Sequence, residues 1–519
     1  MSWDSAIGEL KTKLPKFNDY LLRGYRKDQI ARFPDFMDVV FKEAVQLFDG
    51  KLIYEGYHTL NPKEIIDYIS GNKLISGRIN IQRSELQLIE YLFRYDDRQI
   101  RVHLYLPYLY QGALVINDTR YYMLLPIIER TIYRVTDGVI IKVMRSPLQF
   151  WRSEQFKYTS TKGHTYFDAI ITVKAHYRRS SRAATGSSRT KTPLVLYLLA
   201  KYPFQEVTNR ILGLPPGSVS FVEEDNKEDE QYEYFECREN IYLKVHKELV
   251  LNDLSFRRFV ASLLYILKMT KRCTIADVYD TTFYKMILGR NLYGQNTREA
   301  LAAGHAESHL DSLRTYLDAF TKEELSNMHI YCNDVFDLFV AVFFNIDTWL
   351  MSYSPNDLFN KRIGGADLLL MDMVKTIFPR FYNTLTRNKR LEVSNIEKML
   401  RIDPMKITVI HKVKSLSPSN DLYNDNTLTS VLVKRLRQSS SQEGSDSGKR
   451  SVNLIGAKEH HFHPSFVAIE SVLAISSSSP GISGDINPFA CIDSNGYFHK
   501  ESMPWYDEIY PLVRYLVNV

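Results

Sequence analysis

Apolar positions along this chain change their period several times, and each change predicts a change of element. After Pro34, the residues Phe36, Val39, Val40, Ala44, Leu47 and Phe48 recur at the three-and-four spacing of one helix face, so the first 60 residues read as helical. From about Ile79 the period drops to two. Arg101 to Tyr110 (RVHLYLPYLY) alternates strictly, and Leu114 to Asn117, Val139 to Met144 and Phe167 to Ala175 continue in the same style as strands. Thr192-Pro193 then opens LVLYLLAKY, which is apolar around most of a helix circumference and so predicts a helix buried on most faces. From Leu254 to Lys406 the pattern is mainly helical, and from Val452 short strands return between Pro and Gly residues. Gln438 to Gly448 (QSSSQEGSDSG) is a flexible loop by composition. No internal repeat occurs. The mixture predicts an α+β, multidomain protein.

Length and composition narrow this picture. A chain of 519 residues carries a soft prior of about three domains. With 45% hydrophobic and 24% charged residues, a disordered chain, a collagen-like repeat and a polytopic membrane protein are excluded. Cys237, Cys273, Cys332 and Cys491 lie far apart, which offers neither a disulfide framework nor a paired-cysteine metal site and points to a reducing compartment. The N-terminus has no apolar core of signal-peptide length, and Val335 to Leu350, the most apolar window, carries Asp337 and Asp347 and falls short of a membrane span. No membrane partner is expected. The aromatic content is high, with 34 Tyr and 27 Phe against 23 Gly.

The net charge of +6 is unevenly spread. Arg178 to Lys191 (RRSSRAATGSSRTK) holds Arg178, Arg179, Arg182, Arg189 and Lys191 with no acid. A second basic group, Lys434, Arg435 and Arg437, precedes the Ser-rich loop, and Lys449, Arg450 and Lys458 follow it. Between the two groups, Glu223 to Glu239 holds nine carboxylates against Lys227 and Arg238 and reads as a solvated loop.

Signatures of independent chemistry are missing. The chain has no GxxxxGK(S/T) phosphate loop, GxGxxG, HExxH or GxSxG. His460-His461-Phe462-His463 could approach a metal, but in a strand the first and third positions of this run point one way, and with no Cys, Asp or Glu nearby at ligand spacing except Glu459 and Glu470 the shell is incomplete. Asp96-Asp97 reads as a turn between strands, with arginines around it. Asp367 and Asp372 lack the spacing of a pair of metal-holding carboxylates, and no carboxylate triplet for two Mg²⁺ ions exists. What remains is a set of acid-poor basic loops among aromatic strands. Such loops are either solvated faces or contacts to a phosphate backbone, which needs Lys and Arg but no sequence readout.

Four stretches, in order, resemble the N-terminal half of the β subunit of multisubunit RNA polymerase. Gln111 to Arg134 is similar to a segment in which a turn leads to F-x-I-N-G-x-E-R, with Ile116-Asn117-Asp118-Thr119-Arg120 in that place and Asp118 for the glycine. Thr192 to Leu212 is similar to the segment where a basic stretch and a proline precede an apolar helix. Asp357 to Leu370 resembles the D-x-x-G-N-(K/R)-R return, with Asn360-Lys361-Arg362 matching and Phe359 for the glycine. Asn426 to Arg435 (NTLTSVLVKR) matches N-x-L-(S/T)-x-(I/V)-x-x-K-R without a gap, followed by His463-Pro464-Ser465. Val472 to Asn487 then aligns in length with the V-C-P-x-E-T-P-E-G-x-x-x-G-L segment, Gly484 and Asn487 fitting and Ser476 to Ser479 replacing its Glu-Thr-Pro-Glu core. The likeness is to the split form of the subunit, as in large-genome bacteriophages.

The resemblance implies an architecture and a task. It implies a protrusion-like domain at 1–140 and 356–415, a lobe-like insertion at 141–355 and a fork-like domain at 416–519. The chain would be a subunit of a phage-encoded DNA-dependent RNA polymerase, walling the DNA cleft and contacting template, RNA–DNA hybrid and downstream DNA. It would carry no cofactor and no catalytic metal site, with Mg²⁺ held by a β′ fragment; partners would be the β C-terminal fragment, β′ fragments, DNA template, RNA transcript and a promoter-specificity subunit. Lys434 and Arg435 would meet the hybrid backbone, a salt bridge across the fork being the alternative. Arg437, Lys449, Arg450 and Lys458 would face the downstream edge, and Arg178, Arg179, Arg182, Arg189 and Lys191 would face downstream DNA, plain surface charge being the alternative. Tyr423, Val433 and Gln438 replace polar groups of the rifamycin pocket, which implies rifampicin insensitivity. The rival readings are a non-enzymatic virion or packaging protein that binds nucleic acid, and a promoter-recognition accessory subunit. Expected locations are the host cytoplasm, a phage-associated compartment or the virion.

Overall fold

The computed structural model describes residues 20–71, 86–174 and 191–364 with short gaps, and parts of 4–9, 377–400, 437–439, 465–469 and 483–499. The chain divides into two compact units, Met1–Arg130 with Pro355–Val519, and Thr131–Ser354. Both mix helices and antiparallel strands.

The first unit begins with helices α1 (Tyr25–Ala31) and α2 (Phe33–Val45). Pro34 starts α2, where a missing amide hydrogen costs nothing. The helix buries Phe33, Met37, Val40, Phe41 and Ala44, one apolar face at the spacing the sequence shows. Among the described residues, the helical reading of the first 60 holds as far as Phe48 and fails beyond it. Asp49 (φ 48°) and Gly50 (φ 81°) take left-handed backbone, and the chain turns into strand β1 (Leu52–Thr59). The Ile-Tyr-x-x-Tyr run after the turn is drawn into a sheet by partners distant in sequence.

Helix α3 (Pro62–Gly71) precedes strands β2 (Leu86–Tyr95) and β3 (Arg98–Pro107). The three strands form an antiparallel sheet in the order β1-β2-β3. Asp96 and Asp97 make the β2–β3 turn, Asp96 at φ 51°. Phe41 of α2 packs on Tyr54, Tyr91 and Phe93 of the sheet, with ring centroids 5.9, 5.0 and 5.1 Å away, so part of the aromatic excess is core. Strands β4 (Leu109–Tyr110), β5 (Ala113–Ile116) and β6 (Thr119–Tyr121) make a small sheet, and β7 (Ile127–Glu129) ends this segment.

The second unit is built on a five-stranded antiparallel sheet of β8 (Ile132–Val135), β9 (Gly138–Ile141), β10 (Leu148–Thr159), β11 (Thr165–Lys174) and β12 (Thr192–Pro193), in the order β12-β11-β10-β9-β8. Helix α4 (Leu194–Lys201) follows, and every residue from Leu194 to Ala200 is buried, as its all-round apolarity predicts. A second sheet joins β13 (Val219–Val222), β14 (Tyr232–Arg238) and β15 (Ile241–His246) in the order β13-β15-β14.

The solvated-loop reading of 223–239 is therefore corrected: its second half is strand β14. Alternating Phe235 and Cys237 are buried there, and Glu233 is buried with them because His164 Nδ1 meets its carboxylate at 2.9 Å. Charge content alone hid the period of two.

Among the described residues, seven further α-helices follow in this unit: α5 (Lys247–Asn252), α6 (Leu254–Lys268), α7 (Ile275–Tyr279), α8 (Thr281–Tyr293), α9 (Glu299–Leu313), α10 (Ala319–Asn327) and α11 (Val335–Ser352). Asp253 caps α6, its carboxylate accepting from the Ser255 and Phe256 amides, and Thr274 with Asp277 forms a capping box on α7. By length and composition alone α11 could cross a membrane, but half of its span is buried within the structure. Its Asp347 bonds Arg258 and Arg152.

The chain returns to the first unit with β16 (Lys361–Ile363), which pairs with β7. Helix α12 (Val393–Leu400) buries Ile396, Met399 and Leu400. Strands β17 (Arg437–Ser439) and β18 (Ser483–Asp485) pair antiparallel.

Candidate nucleic-acid interface

Described parts of three motif segments, at Ile127–Glu129, Asp357–Ile363 and Ser465–Asn487, meet in the first unit; Thr192 to Leu212 belongs to the second unit, and Asn426 to Arg435 lies outside the described residues. Asp357 caps the turn before β16 by accepting from the Phe359 amide at 2.9 Å. The Leu358 amide donates to Ser465 Oγ at 2.9 Å, joining residues 107 positions apart. The Ile363 amide donates to the Gly496 carbonyl at 2.8 Å, and the Ile363 carbonyl accepts from Tyr25 Oη at 2.9 Å. Arg362 forms a bridge to Tyr497, and Gln29 Nε2 donates to the Ser494 carbonyl at 2.9 Å. Leu21, Tyr25, Leu358, Phe359, Ile363, Ile469, Ile486, Ala490, Ile492 and Phe498 form one apolar cluster beneath these bonds. Phe359, which departs from the motif's glycine, is a core residue here.

The cations of this return have internal uses. Lys361 pairs with Glu129, Arg362 is 6% exposed, and Arg130 donates to the Phe359 carbonyl while lying 4.9 Å from the Tyr497 ring centroid. Sequence reading missed Glu129, Arg130 and Tyr25 because each works only through a partner far along the chain.

Of the predicted contact residues, Lys434, Arg435, Lys449, Arg450, Lys458, Arg178, Arg179, Arg182 and Arg189 lie outside the described residues, as does His460 to His463. Arg437 and Lys191 are described. Arg437 starts β17 opposite Asp485, and Gln438 stands opposite Gly484. That pairing sets Arg437–Ser439 against Ser483–Asp485 of the last motif.

Lys191 is exposed, and its Nζ lies 5.4 Å from the centroid of the Trp151 ring. Nearby, Arg152 and the buried Arg258 share Asp347. Burial raises the Asp347 pKa, but the bond and charge of Arg258, then those of Arg152, outweigh it and hold the carboxyl below its usual range. Among the described residues, no group of three or more His, Cys, Asp or Glu side chains is placed to hold a metal ion.

A family model described as "Non-virion RNA polymerase subunit" matches residues 9–511. No curated protein matches the chain. The family description is of a polymerase subunit and of a non-virion one, so neither a virion or packaging protein nor a virion location has support from it.

Proposed function

We propose a specific place in a polymerase for this chain, which belongs to the family of non-virion RNA polymerase subunits: it is the N-terminal β fragment of a phage-encoded, DNA-dependent enzyme. It walls the DNA cleft and lends backbone contacts, while aspartates of a β′ fragment hold the catalytic Mg²⁺. Lys434 and Arg435 meet the RNA–DNA hybrid, with Arg437, Lys449, Arg450 and Lys458 at the downstream edge and the 178–191 cations on downstream DNA. The other partners are the β C-terminal fragment and a promoter-specificity subunit, and the enzyme works in the host cytoplasm.

The observation that carries this reading is the closure of the Asp357–Ile363 return on Ser465 and Gly496 over one core. Motifs more than 100 residues apart meet, and the β17–β18 pair sets Arg437 in a fixed register. A wall that holds a polyanion for chemistry done elsewhere needs that rigidity and no metal centre of its own.

The test is copurification from infected cells followed by nucleotide incorporation. The chain alone should incorporate nothing. The complex should hold a partner with a metal-binding aspartate loop and transcribe; a transcribing complex without such a partner sinks the proposal. Rifampicin at low micromolar concentration should leave transcription unchanged. Tyr423, Val433 and Gln438 stand in place of the pocket's Asp, His and Ser, so those hydrogen-bond partners are lost, and a buried partner left unpaired costs about 1–3 kcal/mol.

A further inference from the structure

We propose that the uncovered side of the β10–β11 hairpin binds an unpaired nucleic-acid strand, with Phe167 stacking on a base and Lys157 meeting a phosphate. The proposal rests on the reading of this chain as part of a DNA-contacting wall, and gives that wall a site for an unpaired base.

The two sides of this hairpin differ. Paired residues of neighbouring strands face the same way, and successive residues along a strand alternate. One side carries Phe156, Tyr158, Tyr166 and Asp168. Tyr158 and Tyr166 pack on Phe235 of β14, with ring centroids 5.3 and 5.8 Å away. Phe156 packs on Tyr265 of α6 at 5.7 Å, and Asp168 pairs with Arg257 of α6 at 3.3 Å. That side belongs to the unit's interior. On the other side the register pairs Gln155 with Ala169, Lys157 with Phe167 and Thr159 with Thr165. Here Gln155, Lys157, Thr159, Thr165 and Phe167 are all exposed, Phe167 by 53%. The bulge between Arg152 and Gln155 marks where cover ends. Arg152 still meets Asp347 of α11 and its partner Ile171 is buried, whereas the side opens from Gln155 and Ala169 toward the hairpin tip.

The open side has the chemistry of a strand contact. A ring with half of its surface in water is not explained by core packing. Lys157 Nζ lies 5.9 Å from the Phe167 centroid, at the outer limit of cation–π attraction, so the ammonium does not seal the ring face. The described hairpin side chains on this side include no acid. At its border, Arg152 and Arg258 share Asp347, so one carboxylate answers two guanidinium groups and positive charge is left over. The acidic turn at 223–230 leads into β14, which covers the opposite side. Positive charge, uncharged hydrogen-bonding groups and a free aromatic face together fit a strand whose phosphates are anionic and whose bases are unstacked. Base–aromatic stacking strengthens such binding by about 5- to 150-fold per base, with little regard to sequence. In a duplex the bases already stack on one another and offer the ring no face. An acidic peptide would satisfy Lys157 and leave Phe167 unused.

The experiment measures binding of the full chain to fluorescent oligo-dT and oligo-U strands by anisotropy, at several salt concentrations. Phe167→Ala should weaken binding about 5- to 100-fold with the salt slope unchanged, and Phe167→Trp should keep the affinity. Lys157→Gln should lower the salt slope by about one. Binding to the matching duplex should be indifferent to Phe167→Ala. A loss confined to oligo-dT assigns the strand as DNA, and a loss confined to oligo-U assigns it as RNA. Ultraviolet crosslinking of an oligonucleotide carrying 5-iodouracil should place an adduct on Phe167 of the unaltered chain, a readout that needs no variant to fold. Equal binding by wild type and Phe167→Ala, or crosslinks that avoid Phe167, overturns the site; where the chain still binds oligonucleotide, the wall reading stands without it. An equal Phe167→Ala loss on duplex overturns the unpaired-base assignment. If no oligonucleotide binds the chain or the assembled enzyme, the wall reading fails and the site with it.

Discussion

In residues 131–354, Phe150 reaches Phe339 at 5.8 Å, Tyr197 reaches Phe339 at 5.5 Å, and Tyr197 Oη meets the buried His309 Nε2 at 3.3 Å. Sheet, α4, α6, α8, α9 and α11 all feed one continuous apolar core. Around Lys361–Ile363 the other unit is arranged differently. A cluster of ten buried apolar residues is overlaid by single hydrogen bonds from Tyr25, Gln29, Leu358 and Ile363 to residues 107 to 465 positions away. The first arrangement spreads its stability over many interchangeable contacts, so local changes of volume are felt but few are singular. The second concentrates its geometry in a few buried donors and acceptors, each costly to leave unmade. A scaffold can be built the first way. Segments that must hold a strand such as β17 in register with its partner gain from the second.

The largest effect should come from the continuous core. Phe259→Ala, at a fully buried site of α6, should destabilise that unit by roughly 3–5 kcal/mol, read from urea unfolding followed through hydrogen exchange of the 131–354 amides. A loss under about 1 kcal/mol would show that the core is looser than its burial implies.

Next comes a pH effect confined to the same unit. Burial pushes the His309 pKa down to about 4, while the unfolded imidazole titrates near 6.5. Between these values the unfolded state binds the extra proton, so stability is full above about pH 6.5 and drains as pH falls toward 4. The loss should reach about 3 kcal/mol. His309→Gln should flatten this window, and an unchanged slope would reject the assignment.

Smaller, but more local, is Gly496→Ala in the other unit. Gly496 has φ 84°, and a Cβ there would press on the Ile363 carbonyl and lie 2.5 Å from Tyr25 Oη. A cost of roughly 1–3 kcal/mol is expected, with faster exchange of the Ile363 amide and no change in the 131–354 unit. Loss spread evenly over both units would break the contrast.

Some of this could be read along the chain. The helix after Pro34, the alternating strand near Arg101, the hairpin turn at Asp96-Asp97 and the buried helix after Pro193 all appear where the pattern places them. In each, side chains one turn or two residues apart suffice to define the buried face. Where the pattern failed, the deciding partner was remote. Strand β1 forms because β2 is there to pair with it, and β14 buries Glu233 because His164 lies within reach. The Lys191–Trp151 contact carried no signal in the sequence, since it forms only where β10, β11 and β12 share one sheet.

The sequence by itself determined most of the element types, the mixed α and β class, the two acid-poor basic stretches and the order of the polymerase-like motifs, because periodicity and charge are properties of neighbouring residues. Only the tertiary structure decided that Ser465 and Gly496 close on Leu358 and Ile363, that Lys361 and Arg362 are used inside the protein, and that Lys191 lies over Trp151. Hydrogen bonds, ion pairs and ring contacts between distant residues depend on distances of a few ångströms, and those distances are set by how sheets and helices pack, which no local pattern encodes.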